Sequence, residues 1–167
     1  MKMIFASDSF KGSISGREAG ELLKKAANEV FGETETIILT AADGGEGTVD
    51  ALLETCGEER ILAGVHDARM RPVQAYYGRI DEKQAVIEMA AASGLPMLEN
   101  DLRDPLKTTS YGTGELLRDA LDKGYAKIAI GLGGSATNDG GMGAMRALGA
   151  RFLDEADREL EGCGETD

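Results

Sequence analysis

The sequence has no tryptophan, one histidine, two cysteines and three prolines, and each shortage excludes a class of chemistry. With His66 as the only histidine, a multi-histidine metal site is ruled out, and a Ser–His–Asp triad would have to be built around one residue in HDARMR, a charged stretch that reads as a surface turn. Cys56 and Cys163 fit neither a disulfide framework nor a CxxC spacing, which is the usage of a reducing compartment. No stretch is apolar for long enough to span a bilayer, and the chain opens directly on a strand-like run without a charged leader. A cytoplasmic protein with no membrane partner is expected. Cations are also in short supply, 18 Lys and Arg against 30 Asp and Glu, and the resulting net charge of −12 leaves sequence-independent nucleic-acid binding without electrostatic support.

What the sequence does have is glycine. Its 23 glycines, set against few prolines, mark many positions where backbone turns sharply or approaches a ligand closely. They fall at the ends of strand-like runs. Met3–Ala6 leads through SDSFKGS into a helix over Ser15–Val30, where Ser15 and Glu18 make a capping box and Ala19, Leu22, Leu23, Ala26, Ala27 and Val30 share one face. Ile37–Leu39 leads through AADGGEGT into a shorter helix over Val49–Thr55 that stops at Gly57. Residues 60–88 change character, with alternating runs Ile61/Ala63/Val65 and Val73/Ala75/Tyr77 followed by AVIE, a pattern of antiparallel strands. From Thr113 a helical pattern returns and stops at Gly124, and the apolar strand KIAI then runs into GLGGSATNDGGMG and another short helix ended by Gly149.

Strands alternating with helices predict an α/β protein, Rossmann-like or flavodoxin-like, with a mostly parallel sheet, helices on both faces and part of a second α/β lobe. The expected division places 1–60 with about 105–167 in the Rossmann-like portion and about 61–104 in the inserted lobe. Ligands of such a sheet bind beyond the carboxyl ends of its strands, where three loops combine glycine with acid.

The richest loop holds Gly131, Gly133, Gly134, Gly140, Gly141 and Gly143 after a buried strand and before a helix. Bare backbone N–H groups there suit a phosphate, Ser135, Thr137 and Asn138 offer neutral partners, and Asp139 brings a carboxylate for a metal ion or ligand hydroxyls. The alternative is a crowded turn with no ligand. The loop is not a Walker A motif, but Gly131, Gly133 and Ala136 satisfy GxGxxA, and Asp154 at the end of ARFL stands where a dinucleotide fold places its ribose carboxylate. In the second loop, Asp43 suits proton acceptance or magnesium, or else caps the next helix, and Glu46 favours that helix's first turn. In the first loop, Asp8, Ser9, Lys11, Gly12 and Ser13 follow a strand, and Lys11 is either a phosphate-handling cation or a solvated lysine. Ser93 and Gly94 line the cleft with Glu88 or pack in the core. The polar glycine run from Thr108 to Gly114 binds an anion or caps a helix.

Five blocks taken together are specific: DSFKGS at 8–13, ADGGEGTVDAL at 42–52, IEMAAASGLP at 87–96, TSYGTGEL at 109–116 and GLGGSATNDGGMGA at 131–144. In this order they resemble the bacterial glycerate kinase family. The resemblance implies transfer of the ATP γ-phosphoryl group to D-glycerate, with Mg2+ as helper. It implies that Lys11 steadies phosphate or carboxylate charge, that Asp43 is base or metal carboxylate, and that the 133–139 loop contacts phosphates. The resulting site is Asp43, Lys11 and Asp8 as catalytic residues, with Gly133, Gly134, Ser135, Thr137, Asn138 and Gly140 for the nucleotide. Ser9, Gly44, Gly45, Glu46 and Ser93 are expected at the substrate, a glycerate or related hydroxy acid, and Asp43 and Asp139 at the metal.

Two departures from the family follow. HDARMRP at 66–72 replaces a glycine-containing turn, and the C-terminal remainder of the family's chain is expected to be absent. A core cut short exposes apolar surface, so a homodimer or a complementing C-terminal fragment is the expected partner. The competing functions are a non-catalytic nucleotide-binding or assembly remnant and, from the GxGxxA match, a Rossmann-type NAD-dependent oxidoreductase.

Overall fold

The computed structural model describes residues 1–10, 13–56 and 59–160, so Lys11, Gly12, Gly57 and Cys163 lie outside the described residues. The chain divides into two units, Met1–Asp43 and Gly44–Asp167.

In the first unit β1 (Lys2–Ser7) and β2 (Glu35–Thr40) pair in parallel from Lys2↔Glu35 to Ser7↔Thr40, and α1 (Gly16–Phe31) connects them and packs on both. The capping box forms as expected: the Ser15 hydroxyl accepts the Glu18 N–H at 3.2 Å, and the Glu18 carboxylate accepts the Ser15 N–H at 2.9 Å. Ser15→Ala is therefore expected to cost about 1 kcal/mol of helix stability. The fall in helical circular dichroism on heating checks it.

The helix does not bury the face its apolar spacing suggests. Ala19 and Ala27 are buried, but Leu22, Leu23, Ala26 and Val30 are exposed. The helix meets the strands on its small residues instead: a Cβ on Gly20 would stand 2.4 Å from Ile38 Cγ2, so glycine there brings helix and strand into contact. Two strands about 4.8 Å apart are narrower than the helix's apolar stripe, and the leucines fall outside them.

In the second unit β3 (Arg60–His66), β4 (Pro72–Arg79), β5 (Gln84–Glu88) and β6 (Lys127–Gly131) form one sheet in that order. The alternating segment is antiparallel as expected, β3 with β4 and β4 with β5, while β5 and β6 run parallel. Strand alternation sends Ala63, Val65, Ala75, Tyr77, Ala85 and Ile87 into one core cluster, closed by Leu116 and Ala120 of α4 (Tyr111–Asp122) and Ala92 of α3 (Ala90–Ser93). On the other face Val86 packs with Val49 and Leu53 of α2 (Thr48–Cys56). The fold is α/β, with helices on both faces of this sheet.

Three details differ from expectation. β6, assigned from sequence to the Rossmann-like portion, hydrogen-bonds to β5 of the expected inserted lobe, so strand pairing joins the two sides of that boundary. No strand forms over ARFL, where only the isolated bridge Leu153↔Glu159 is present. There the Asp154 carboxylate folds the chain back on itself, accepting the Arg158 N–H, the Arg158 Nε–H and the Ala156 N–H, and the Arg158 bonds above all hold its carboxyl below the usual carboxylate range. His66 is the last residue of β3 rather than part of a surface turn, with Nδ1 3.1 Å from Glu115 of α4.

Among the described residues, no helix is long and apolar enough to cross a membrane.

Candidate functional site

In the first unit the parallel register sets Ser7 beside Thr40, so the chain leaves β1 and β2 at the same edge. Asp8 follows β1 by one residue and Asp43 follows β2 by three, and both are exposed. Asp8 turns one oxygen back to the Ser9 N–H at 2.7 Å. The two expected catalytic carboxylates of this unit thus sit past the carboxyl ends of neighbouring parallel strands, the position at which open α/β sheets take ligands.

In the second unit the same geometry recurs at the parallel pair β5–β6, which end together at Glu88↔Gly131. Three loops gather there. The Gly133 N–H donates to the Gly44 carbonyl at 2.8 Å, and a Cβ on Gly133 would stand 2.7 Å from the Gly45 Cα, so the 44–45 and 131–133 segments touch backbone to backbone and need glycine to do so. The third loop joins through Gly94↔Ser135, with Leu95 N–H on the Gly134 carbonyl and Ala136 N–H on the Ser93 carbonyl, each at 2.8 Å. Glu46, Gly134, Asn138 and Gly140 remain exposed, while Ser135 and Thr137 are half-buried and pair their hydroxyls at 3.0 Å. The structure therefore brings together Gly44, Gly45, Gly133, Gly134 and Ser135.

Two expected ligand residues are turned inward. Ser93 is fully buried and its hydroxyl accepts the Thr113 hydroxyl at 2.9 Å, which leaves it no surface for a substrate. Asp139 is 1% exposed, and its Oδ2 accepts the Thr109 hydroxyl, the Ser110 N–H, the Ser110 hydroxyl and the Gly143 N–H at 2.8–3.2 Å, while Oδ1 accepts the Gly141 N–H. A carboxylate so engaged ties the glycine loop to the start of α4 and of α5 (Met142–Ala147). It is a fastening inside the protein rather than a metal ligand at its surface. Among the described residues no group of three or more His, Cys, Asp or Glu side chains is placed to hold a metal ion.

Sequence inspection gave Glu88 little weight and Thr109, Ser110 and Thr113 only a generic one. Glu88 is 4% exposed and accepts backbone N–H groups from the 44–49 segment. Its one sequence signal is an acid closing an apolar strand, AVIE.

A glycerate kinase family model matches residues 3–166. The chain is 48% identical over 161 residues to the glycerate kinase of Bacillus subtilis (strain 168), covering 96% of this chain and 42% of that protein. It is 47% identical over 162 residues to the glycerate 2-kinase of Escherichia coli (strain K12), covering 96% and 42%. A crystal structure of a Salmonella typhimurium LT2 protein, proposed to be glycerate kinase 2, superposes with a TM-score of 0.79 at 44% identity, covering 99% of this chain and 45% of that one. The chain thus spans less than half the length of the relatives it matches.

Proposed function

Because the chain belongs to the glycerate kinase family, we propose that it forms the N-terminal part of an ATP-dependent kinase that phosphorylates an alcohol group of D-glycerate. The observation that carries this reading is the backbone contact of the 44–45 and 131–133 loops at the carboxyl ends of β5 and β6. Phosphoryl transfer asks the protein mainly to position groups and neutralise charge, and glycine loops that let backbone approach closely suit that task.

The exposed parts of the 133–140 loop, Gly134, Asn138 and Gly140 with Ser135 and Thr137 beside them, are assigned to the nucleotide phosphates, and Ser9, Gly44 and Glu46 to glycerate, while buried Gly45 shapes the loop that carries them. Lys11 neutralises charge on the transferring group or on the glycerate carboxylate. Asp43 accepts the hydroxyl proton, supported by Asp8 at the same strand edge. Magnesium commonly binds through only one or two protein carboxylates plus substrate phosphates, so exposed Asp43 fits it, whereas inward-facing Asp139 does not. When bound, the ion would offset phosphate charge. The cysteine usage supports a cytoplasmic setting.

The test is ADP release with ATP, Mg2+ and D-glycerate. Asp43→Asn and Lys11→Ala are each expected to lower kcat/KM by about 100-fold or more. Unchanged rates in both variants would remove the assignment. Ligand-induced stabilisation provides a second readout: Mg-ATP a hundredfold above its Kd adds about 2.7 kcal/mol, and stabilisation by NAD alone would favour an oxidoreductase.

A further inference from the structure

β5 ends at Glu88, whose carboxylate accepts the Gly47 N–H on Oε1 at 3.3 Å and the Val49 N–H on Oε2 at 3.0 Å. These donors flank Thr48, the first residue of α2, so the open N–H groups of that helix are satisfied by a carboxylate about forty residues away in the chain. Thr48 in turn accepts the Gly44 N–H on its hydroxyl at 3.1 Å. The same strand end pairs with Gly131, and Met89 donates its N–H to the Gly131 carbonyl at 2.8 Å. Glu88 therefore sits where the 44–49 segment and the 131–133 segment meet.

We propose that Glu88 is a positioning residue that fixes the shape of the 44–49 segment and so sets how exposed Glu46 is presented to substrate. What the segment faces rests on the kinase reading; the fixing itself does not. A capping side chain from the helix's own sequence would act locally, but Glu88 ties the helix start to the parallel strand end that also supports the glycine loop.

The geometry makes this fixing dependent on ionisation. An ionised carboxylate offers one oxygen to each of two N–H groups, whereas a protonated one keeps a single good acceptor. The groups that face Glu88 are Glu46 and Asp50 from the 44–50 segment and Tyr76 from β4, whose hydroxyl donates to Asp50 while Arg60 of β3 pairs with Asp50 at 2.8 Å, and β6 presents Gly131 there. Burial pushes the Glu88 carboxyl above the ordinary glutamate value against the pull of the Val49 and Gly47 N–H groups, and Asp50 and Glu46 push it further. Only the two N–H bonds favour the ionised form, so protonation weakens them, while burial itself favours the protonated carboxyl and keeps the side chain in place; the loss of protection is therefore confined to Gly47 and Val49 and sets in above the pH at which an exposed glutamate titrates.

The experiment is pH-dependent amide exchange by NMR on the 167-residue chain, corrected for intrinsic exchange. In the unsubstituted protein the protection of the Gly47 and Val49 amides is expected to fall at least about tenfold as Glu88 protonates, while the amides of the β3–β4 pair keep theirs. In Glu88→Gln, the same two amides should be poorly protected at every pH. Protection equal to that of the unsubstituted chain in E88Q, or a pH response shared by all amides, overturns the proposal. If E88Q does not fold, the titration of the unsubstituted chain decides alone. Adding Mg-ATP and D-glycerate separates the two levels. Absent shifts at Gly44, Gly45 and Glu46 with intact Glu88 dependence remove the kinase reading, and ligand shifts with Glu88-independent protection remove the positioning role.

Discussion

Asp139→Ala is expected to destabilise the second unit by about 3–5 kcal/mol, because hydrogen bonds to a charged acceptor are worth about 1.5–3 kcal/mol each and several are lost at once. The size follows from what the substitution leaves behind: two hydroxyls and three backbone N–H groups lose their shared acceptor in a site that is 1% exposed. Asp139→Asn should cost less, because one oxygen remains, but its NH2 group would confront donors. Urea unfolding followed by tyrosine fluorescence is the measurement of choice, since Tyr76, Tyr77, Tyr111 and Tyr125 all lie in the second unit and tryptophan is absent. A midpoint for Asp139→Ala within error of the unsubstituted chain would show that the network is not needed.

Gly112→Ala should be comparably severe, at about 3 kcal/mol or more. A Cβ there would stand 1.7 Å from the His66 carbonyl oxygen and 3.3 Å from the Ala92 Cβ, and the obstacle is main chain at the end of β3, which has no rotamer by which to withdraw. Overpacking of cores typically costs about 1–3 kcal/mol, and a rigid neighbour puts this case at the top of that range. The first turn of α4 would have to lift from β3, breaking the Glu115 carboxylate's bonds to the His66 N–H at 2.7 Å and to Nδ1 at 3.1 Å. Glu115→Gln, which keeps the backbone contact, should lose much less under the same assay. Equal losses in the two variants would mean that the close approach at Gly112 is not what holds the helix.

The features legible in the sequence are those whose partners lie close along the chain. Ser15 and Glu18 are three residues apart, so their reciprocal bonds could be read directly, and the alternation in 60–88 announced antiparallel strands because period two is a local property. The glycine loops were legible for a different reason, since only close backbone approach explains so many residues without side chains at strand exits. Partners remote in sequence were not legible. Asp139 looked like a metal ligand because Thr109 and Ser110, thirty residues earlier, leave no trace beside it, and Ser93 looked like a cleft residue until Thr113 closed over it. The pairing of β5 with β6 was hidden because AVIE and KIAI are both short apolar runs, and nothing in either names its neighbour.

Asp67 shows how a tight turn can be held without glycine. HDARMRP contains none, and Met70 takes a left-handed φ of 60°. Asp67, 1% exposed, holds the turn by accepting the N–H groups of Arg69 and Arg71 and the Arg71 Nε–H. Burial raises its carboxyl, but these donors outweigh that and keep it below the usual carboxylate range.

The seam between Gly44–Gly45 and Gly131–Gly133 is made of main chain alone, and this has a consequence for engineering. Side chains that project from either rim, such as the exposed Glu46 and Asn138, can be exchanged without disturbing how the rims are joined. The glycines of the seam admit no such freedom. A library that randomises the exposed rim and freezes the seam should therefore keep most of its members folded.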